Sequence, residues 1–251
     1  MYNKLLFVLE TEKGMSIKAV LFDLDGTLLS MDQDHFIKTY LGGLAKHLAP
    51  YGYDPDKFAR VLWKGTGAMV VNDGSKRNEE VFWDVFSSMY PERDLLGEEK
   101  YFDEFYETKF DDVRDIVSKY EPLSVQAVEH MKKKGLRVIL ATNPLFPSVA
   151  TRKRIAWAGF SPEDFEFFTS YENSTYSKPS LGYYREVAER AGLRFEECLM
   201  VGNDVSDDMV AKELGMKVFL LTDHLINKDN EDISVYPNGG FAELMKYVDS
   251  L

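Results

Sequence analysis

A chain of 251 residues, 45% hydrophobic and 29% charged, has the composition of a folded globular protein, with room for one large α/β domain or a core domain carrying a smaller insert. Its formal net charge of −12 repels polyphosphate backbones, and no run of five basic residues offsets that, so nucleic acid is not an expected partner. Cys198 is the only cysteine, which excludes an internal disulfide and thiolate metal clusters.

With no recognisable secretory leader, that cysteine usage favours a cytoplasmic protein. The apolar stretch from Leu5 to Leu9 is too short for a membrane span, so no membrane partner is expected. Met15 opens a segment that reads as the start of a domain, leaving residues 1–14 as an N-terminal extension.

Five short apolar runs follow, each bounded by polar turns: Ala19 to Phe22, Leu136 to Ala141, Phe165 to Phe168, Leu199 to Val201, and Val218 to Leu221. Continuous apolar runs of this length suit strands buried on both faces, as in a parallel sheet. Between them the pattern predicts helices over Ser124 to Lys134, with Ser124 as N-cap, and over Ser148 to Ala158. Two more are predicted over Pro179 to Ala191 and Asp207 to Leu214; a glycine stands just past the end of each of the four. The basic cluster Lys132, Lys133 and Lys134 falls at a helix C-terminus, where cations complement the dipole.

Strand–helix alternation from Val138 onward predicts a doubly wound parallel sheet, whose ligand sits beyond the carboxyl ends of the strands. Residues 31–120 interrupt the alternation. They carry amphipathic stretches at Asn78–Met89 and Lys100–Lys119, and read as a helical insert between the first strand and the rest of the core at 15–30 and 121–251. Trp63, Lys64, Arg77, Trp83 and Tyr106 of the insert are chemically suited to grip a substrate, and none of them is singled out.

The chemistry concentrates at the strand ends. Asp23-Leu24-Asp25-Gly26-Thr27 follows the first strand and sets two carboxylates on an open strand end, with Gly26 allowing a sharp departure of the chain. One carboxylate can take a phosphoryl group as nucleophile, and the other can move the protons. Thr142 ends the second run, although a Thr there is ordinarily a cap or turn residue. Asn143 begins an Asn-Pro pair that serves a turn as readily as a substrate. Lys178 precedes a proline and a helix, where it would commonly be a surface lysine. In Gly202-Asn203-Asp204-Val205-Ser206-Asp207-Asp208, acidic residues at a strand end can hold a hard cation through oxygen. A helix dipole accounts for Asp207 or Asp208, and accounts less well for Asp204.

Taken in this order, the motifs resemble those of the haloacid dehalogenase superfamily from about Ile17 to at least Thr222. The resemblance implies a Rossmann-like core with an inserted α-helical cap, and a Mg²⁺-dependent phosphohydrolase acting on a small phosphorylated metabolite through an aspartyl phosphate. It implies Asp23 as nucleophile, Asp25 as acid and base, and Thr142 and Lys178 as catalytic and phosphoryl-binding groups. Asn143 and the backbone after Asp23, at Leu24, would touch substrate. Mg²⁺ would be held by Asp23, the backbone carbonyl of Asp25, and Asp204, with Asp208 as acidic companion. Asn203 stands where the commoner pattern has Asp directly after Gly, so Asp207 stays open as an alternative to Asp208. Phosphomutase, dehalogenase and phosphonatase chemistry, or a non-catalytic binding role, are the rival expectations. The carboxylate at Asp25 favours phosphorus over carbon as the centre attacked.

Overall fold

The computed structural model describes residues 16–251; the extension expected at 1–14 lies outside the described residues. Five parallel strands form the central sheet: β1 (Ala19–Phe22), β4 (Arg137–Leu140), β5 (Cys198–Gly202), β6 (Lys217–Leu221) and β7 (Asn238–Gly239), in the spatial order β4-β1-β5-β6-β7. β1 and β5 are buried at every residue, which is why their sequences run apolar without alternation. A separate antiparallel pair, β2 (Ser30–Met31) with β3 (Ser118–Lys119), joins the two points where the chain leaves and re-enters the core.

Between β2 and β3 the chain is helical: α1 (Gln33–Leu48), α2 (Pro55–Val70), α3 (Asn78–Met89), α4 (Glu99–Thr108) and α5 (Asp111–Val117). Asp32 caps α1 by accepting from the His35 amide at 2.8 Å, and Asp54 caps α2 through the Lys57 amide at 2.7 Å, with Pro55 opening that helix. Aromatic side chains build the interior of this region; Phe58, Phe86 and Phe102 pack edge-on or tilted around Tyr53. The core helices are α6 (Pro122–Lys133), α7 (Ser148–Trp157), α8 (Leu181–Ala191) and α9 (Phe241–Asp249). Among the described residues, no helix is long and apolar enough to cross a membrane.

Several expected elements differ. The run Phe165 to Phe168 lies along the outer edge of β4, bonding through Glu166 N to Val138 O at 2.8 Å and Thr169 N to Leu140 O at 3.1 Å. Only Leu140 and Phe168 pair as a bridge. Glu166 is exposed and Phe167 and Phe168 are half-buried, so this edge is not the doubly buried strand its composition suggested. The fifth strand is instead β7, whose two residues carry no apolar signal.

Helix α6 begins earlier than expected, because Pro122 opens it and the Glu121 side chain caps the Leu123 amide at 2.9 Å. Ser124 is a buried first-turn residue bonded back to Glu121 O. Helix α8 starts at Leu181 with Ser180 as cap, so Pro179 lies before the helix. The expected helix over Asp207 to Leu214 is a tight 3₁₀ run, Met209–Leu214, entered only after the Asp208 side chain has turned back onto the preceding loop. The stretch Lys100–Lys119 divides into α4 and α5 at Lys109 and Phe110.

Candidate active site

The carboxyl ends of β1, β4 and β5 meet at a cavity of about 240 Å³ lined by Asp23, Asp25, Thr142, Asn143, Lys178, Asn203, Asp204, Asp207 and Asp208. The sheet order explains the convergence. β1 lies between β4 and β5, so the loops that follow all three strands lie side by side.

Lys178 is the hub. Its Nζ donates to Asp23 Oδ1 at 2.9 Å and to Asp208 Oδ1 at 2.6 Å, and the side chain is only 1% exposed. Burial works against an ammonium, but Asp208 and Asp23 overcome it and hold the Lys178 pKa well above the ordinary lysine range. Burial pushes Asp23 up to about 7; Lys178 opposes that shift, and Asp208 and Asp25 add to it. Asp208 has both oxygens engaged, the second accepting from the Asp204 amide at 3.0 Å. A Cβ at Gly202 would collide with that carboxylate, so the strand end must be glycine for Asp208 to lie against it.

Asp207 points elsewhere: its Oδ2 accepts from Asn143 Nδ2 at 3.2 Å, and burial with Asp204 nearby raises its pKa to about 6. The two candidates for the second acid of this motif thus separate geometrically, Asp208 toward Lys178 and Asp207 toward Asn143. Asn143 Oδ1 also accepts from the Lys178 amide at 3.2 Å, tying the loop after β4 to the lysine loop. Asp204 Oδ1 accepts from the amides of Ser206 and Asp207 at 2.8 and 3.0 Å, and burial raises its pKa. Thr142 is buried, and its carbonyl accepts from Thr169 Oγ1 at 2.6 Å and Tyr183 OH at 2.9 Å. The Leu24 side chain is fully buried.

Four residues that sequence reasoning passed over support these groups. Arg154, wholly buried on α7, donates from Nη1 to Asp25 Oδ2. Its guanidinium lies 4.2 Å from the Phe146 ring centre, and that aromatic face helps a buried cation. Burial still raises the Asp25 pKa, against the pull of Arg154, and Asp25 Oδ1 is buried without a partner. Gln33, at the start of α1, donates to the Asp25 carbonyl at 2.6 Å. Asn78, at the start of α3, is fully buried and donates to Pro144 O at 3.2 Å and Ser177 Oγ at 3.0 Å, joining the insert to the loops that carry Asn143 and Lys178. Lys228 adds an exposed ammonium to the cavity lining. Arg154 had a sequence signal: with Ala150 and Trp157 it shares the i, i+4, i+7 face of an otherwise apolar stripe.

Asn203 is nearly fully buried; it accepts from Thr27 Oγ1 at 2.9 Å and donates to His224 O at 2.7 Å. It therefore fastens the loop after β1 to the loop after β6. Gly26 sits at φ +81°, and a Cβ there would lie 2.5 Å from Asn203 Nδ2.

Of the insert residues, Trp63, Trp83 and Tyr106 line a second cavity, whereas Lys64 and Arg77 are exposed and Arg77 pairs with Glu80.

A haloacid dehalogenase-like hydrolase family model matches residues 17–215. The chain belongs to that family. Over 242 residues it is 25% identical to the glyceraldehyde 3-phosphate phosphatase of Methanocaldococcus jannaschii, covering 94% of this chain and 98% of that one. Among solved structures it is similar to a 2-haloacid dehalogenase from Pseudomonas syringae pv. Tomato (TM-score 0.61, 19% identity, 93% and 98% of the two chains). It is also similar to a HAD phosphatase from Thermococcus onnurineus (TM-score 0.56, 20% identity, 92% and 98%).

Whether this donor set suits a divalent cation can be judged from charge and oxygen count. Five carboxylates line the cavity, and Lys178 is the one buried cation among its described lining residues. The upward shifts of Asp23, Asp204 and Asp207, each driven first by burial and enlarged by a neighbouring carboxylate, mark a surplus of negative charge. Among the described residues no three acidic, His or Cys side chains converge as a complete ligand shell. Mg²⁺ does not need one, since it keeps several waters and takes one or two carboxylates plus phosphate oxygens. The residues fit such an ion, and Asp208, with both oxygens on protein donors, serves Lys178 and the Asp204 loop.

Proposed function

We propose that the protein is a Mg²⁺-dependent phosphatase that hydrolyses a small phosphate monoester through a phosphoryl group carried on Asp23. The observation that carries this reading is the buried Lys178 ammonium bonded to both Asp23 and Asp208 beneath a cavity that also holds Asp25. The phosphatase named for the Methanocaldococcus relative supports the same chemistry.

Asp23 attacks phosphorus with a carboxylate oxygen while the ester P–O bond breaks, and Asp25 gives its proton to the departing alkoxide. Water then loses a proton to Asp25 and attacks the aspartyl phosphate, releasing inorganic phosphate and restoring both carboxyls. Burial favours the protonated form of Asp25, as the first step needs, and Arg154 limits that preference so that the second remains open. Lys178 offsets the repulsion between Asp23 and an incoming phosphate, and the Thr142 hydroxyl and the backbone amides after Asp23, beginning at Leu24, hold phosphoryl oxygens. Mg²⁺, held by Asp23, the Asp25 carbonyl and Asp204, would supply positive charge against the phosphoryl group. A halide leaving from carbon would need no acid in the first step, so that step would make no use of the proton that burial favours on Asp25.

Residues 31–120 act as the cap, and the β2–β3 pair is where the chain crosses to it. Gln33 and Asn78 connect cap position to the catalytic loops. The test is hydrolysis of phosphate esters by purified protein with Mg²⁺, after chelation, and in Asp23→Asn. Activity is expected in the first case alone, with Ca²⁺ a poor substitute; turnover that survives chelation or the substitution would overturn the assignment.

A further inference from the structure

We infer that the alcohol part of the substrate is an apolar body carrying no second anionic group; this rests on the phosphatase reading and specifies its substrate class. A second cavity, of about 390 Å³, lies between the insert and the core and shares Ile37, Leu145 and Phe146 with the catalytic cavity. A phosphoryl group seated against Lys178 would therefore direct its leaving group past these three side chains into the larger space. That volume is within the range of small-molecule sites.

The lining is mainly apolar and aromatic, with Leu44, Leu62, Trp63, Phe82, Trp83 and Phe102 among its walls. Trp63 lines this cavity and is 56% exposed, so the cavity has an aromatic wall open to solvent. The charges at the lining have one sign. Glu79, Glu99, Asp103 and Glu172 contribute to it, and none of the described lining residues is Lys, Arg or His. Burial and the nearby Glu172 lift Glu79 above its ordinary value, against the pull of Arg77 outside the lining. Glu172 is fixed, accepting from the Ser148 amide at 2.7 Å and Ser170 Oγ at 2.5 Å. A leaving group bearing a carboxylate or a second phosphate would meet these acids with no cation among the described lining residues to receive it, whereas an alkyl or aryl body would exchange water for aromatic walls.

The test compares hexyl phosphate, glycerol 3-phosphate, phosphoglycolate and pyrophosphate in Mg²⁺, all at one pH. Each methylene entering such a wall strengthens binding by about fourfold in the ideal case, so hexyl phosphate is expected to exceed glycerol 3-phosphate in kcat/KM by at least about tenfold. Phosphoglycolate and pyrophosphate are expected to fall about a hundredfold below hexyl phosphate. The hydrolysis-resistant hexylphosphonate should inhibit competitively at lower concentration than phosphonoacetate, a reading of affinity separate from turnover. Thr66→Arg, which sets a cation in the lining, should narrow the hexyl-to-glycolate ratio about tenfold. Preference for the carboxylate ester or pyrophosphate, together with tighter phosphonoacetate inhibition, overturns this inference and leaves the phosphatase reading standing. Hydrolysis of none of the four esters in Mg²⁺ overturns both.

Discussion

Arg154 spends a fully buried guanidinium on one oxygen of Asp25 and leaves the other oxygen of that carboxylate buried without a partner. The pairing fixes the plane of the Asp25 carboxylate from behind and leaves its second oxygen without a protein partner, as the proposed proton transfers need. It also links α7 to the loop after β1, two segments 129 residues apart in the chain.

Replacing Arg154 by Met is expected to be costly because it strands a buried carboxylate. Breaking one side of a buried ion pair typically costs about 3–5 kcal/mol, so urea unfolding at pH 8 should show a loss of that order. Arg154 lowers the Asp25 pKa, hence its removal raises it further. The acid form of Asp25 then persists to higher pH, and the alkaline limb of kcat/KM in saturating Mg²⁺ should move upward in any neutral variant that stays folded, Arg154→Gln included. An unmoved limb would place Arg154 in folding alone.

Lys178 and Asp208 should behave as a unit. Lys178→Met leaves Asp23 and Asp208 facing each other in a site only a few per cent exposed, so it should depress the hydrolysis of all esters and destabilise the fold above neutral pH. Removing the stranded charge as well, in Lys178→Met with Asp208→Asn, should return part of the stability without the activity. Thermal unfolding of the single and double variants measures this; additive losses would mean that the two side chains are not coupled.

The strand ends after β1, β4 and β5 were readable because each of those candidate loops follows an apolar run long enough for a buried strand, whereas Lys178 follows the edge segment. Asp23, Asp25, Thr142, Lys178 and the acidic loop at 204–208 converge as the strand pattern required. Two groups of residues were not legible. Asn78 and Gln33 act through tertiary contacts that spacing does not show, and for Arg154 the apolar stripe marks burial but not the carboxylate that its polar end meets. The choice between Asp207 and Asp208 depended on which way a short 3₁₀ entry turns, and spacing alone does not fix that. The edge segment at 165–168 misled for a related reason, since Phe167 and Phe168 are half-buried along β4 and the segment makes no full ladder.

Asp23 makes the metal-free protein pH-sensitive in a stated direction. Its pKa rises from 3.8 to about 7 on folding, so the folded state binds this proton more tightly than the unfolded chain. Stability from this group is therefore greatest in acid and is lost as pH rises from about 4 to about 7. Asp23→Asn keeps an acceptor for Lys178 and cannot ionise. In chelator the variant should match the wild type near pH 4 and exceed it above neutrality, by on the order of 2–4 kcal/mol. Parallel stability curves for the two proteins across that range would refute the shift.

Asn203→Asp tests whether the position after Gly202 is a concealed metal site or a fastening. Asn203 uses both ends of its amide: Oδ1 accepts from Thr27 and Nδ2 donates to the His224 carbonyl. A carboxylate can reproduce the first bond but not the second, because an oxygen would replace the donor and face a carbonyl oxygen. Asn203 is only 1% exposed, so water cannot readily take over the lost bond. An unsatisfied buried group of this kind costs about 1–3 kcal/mol, and ionisation would add to it, so the variant should lose stability and retain its proton at higher pH than an ordinary Asp. The loop after β1 is fastened at this point, with Gly26 pressed against Asn203, so Asp25 should be less well placed and kcat should fall with little change in the Mg²⁺ concentration required. If Asn203→Asp instead lowers the Mg²⁺ requirement and keeps full stability, position 203 faces the ion, and Asp204 is not the residue that holds it.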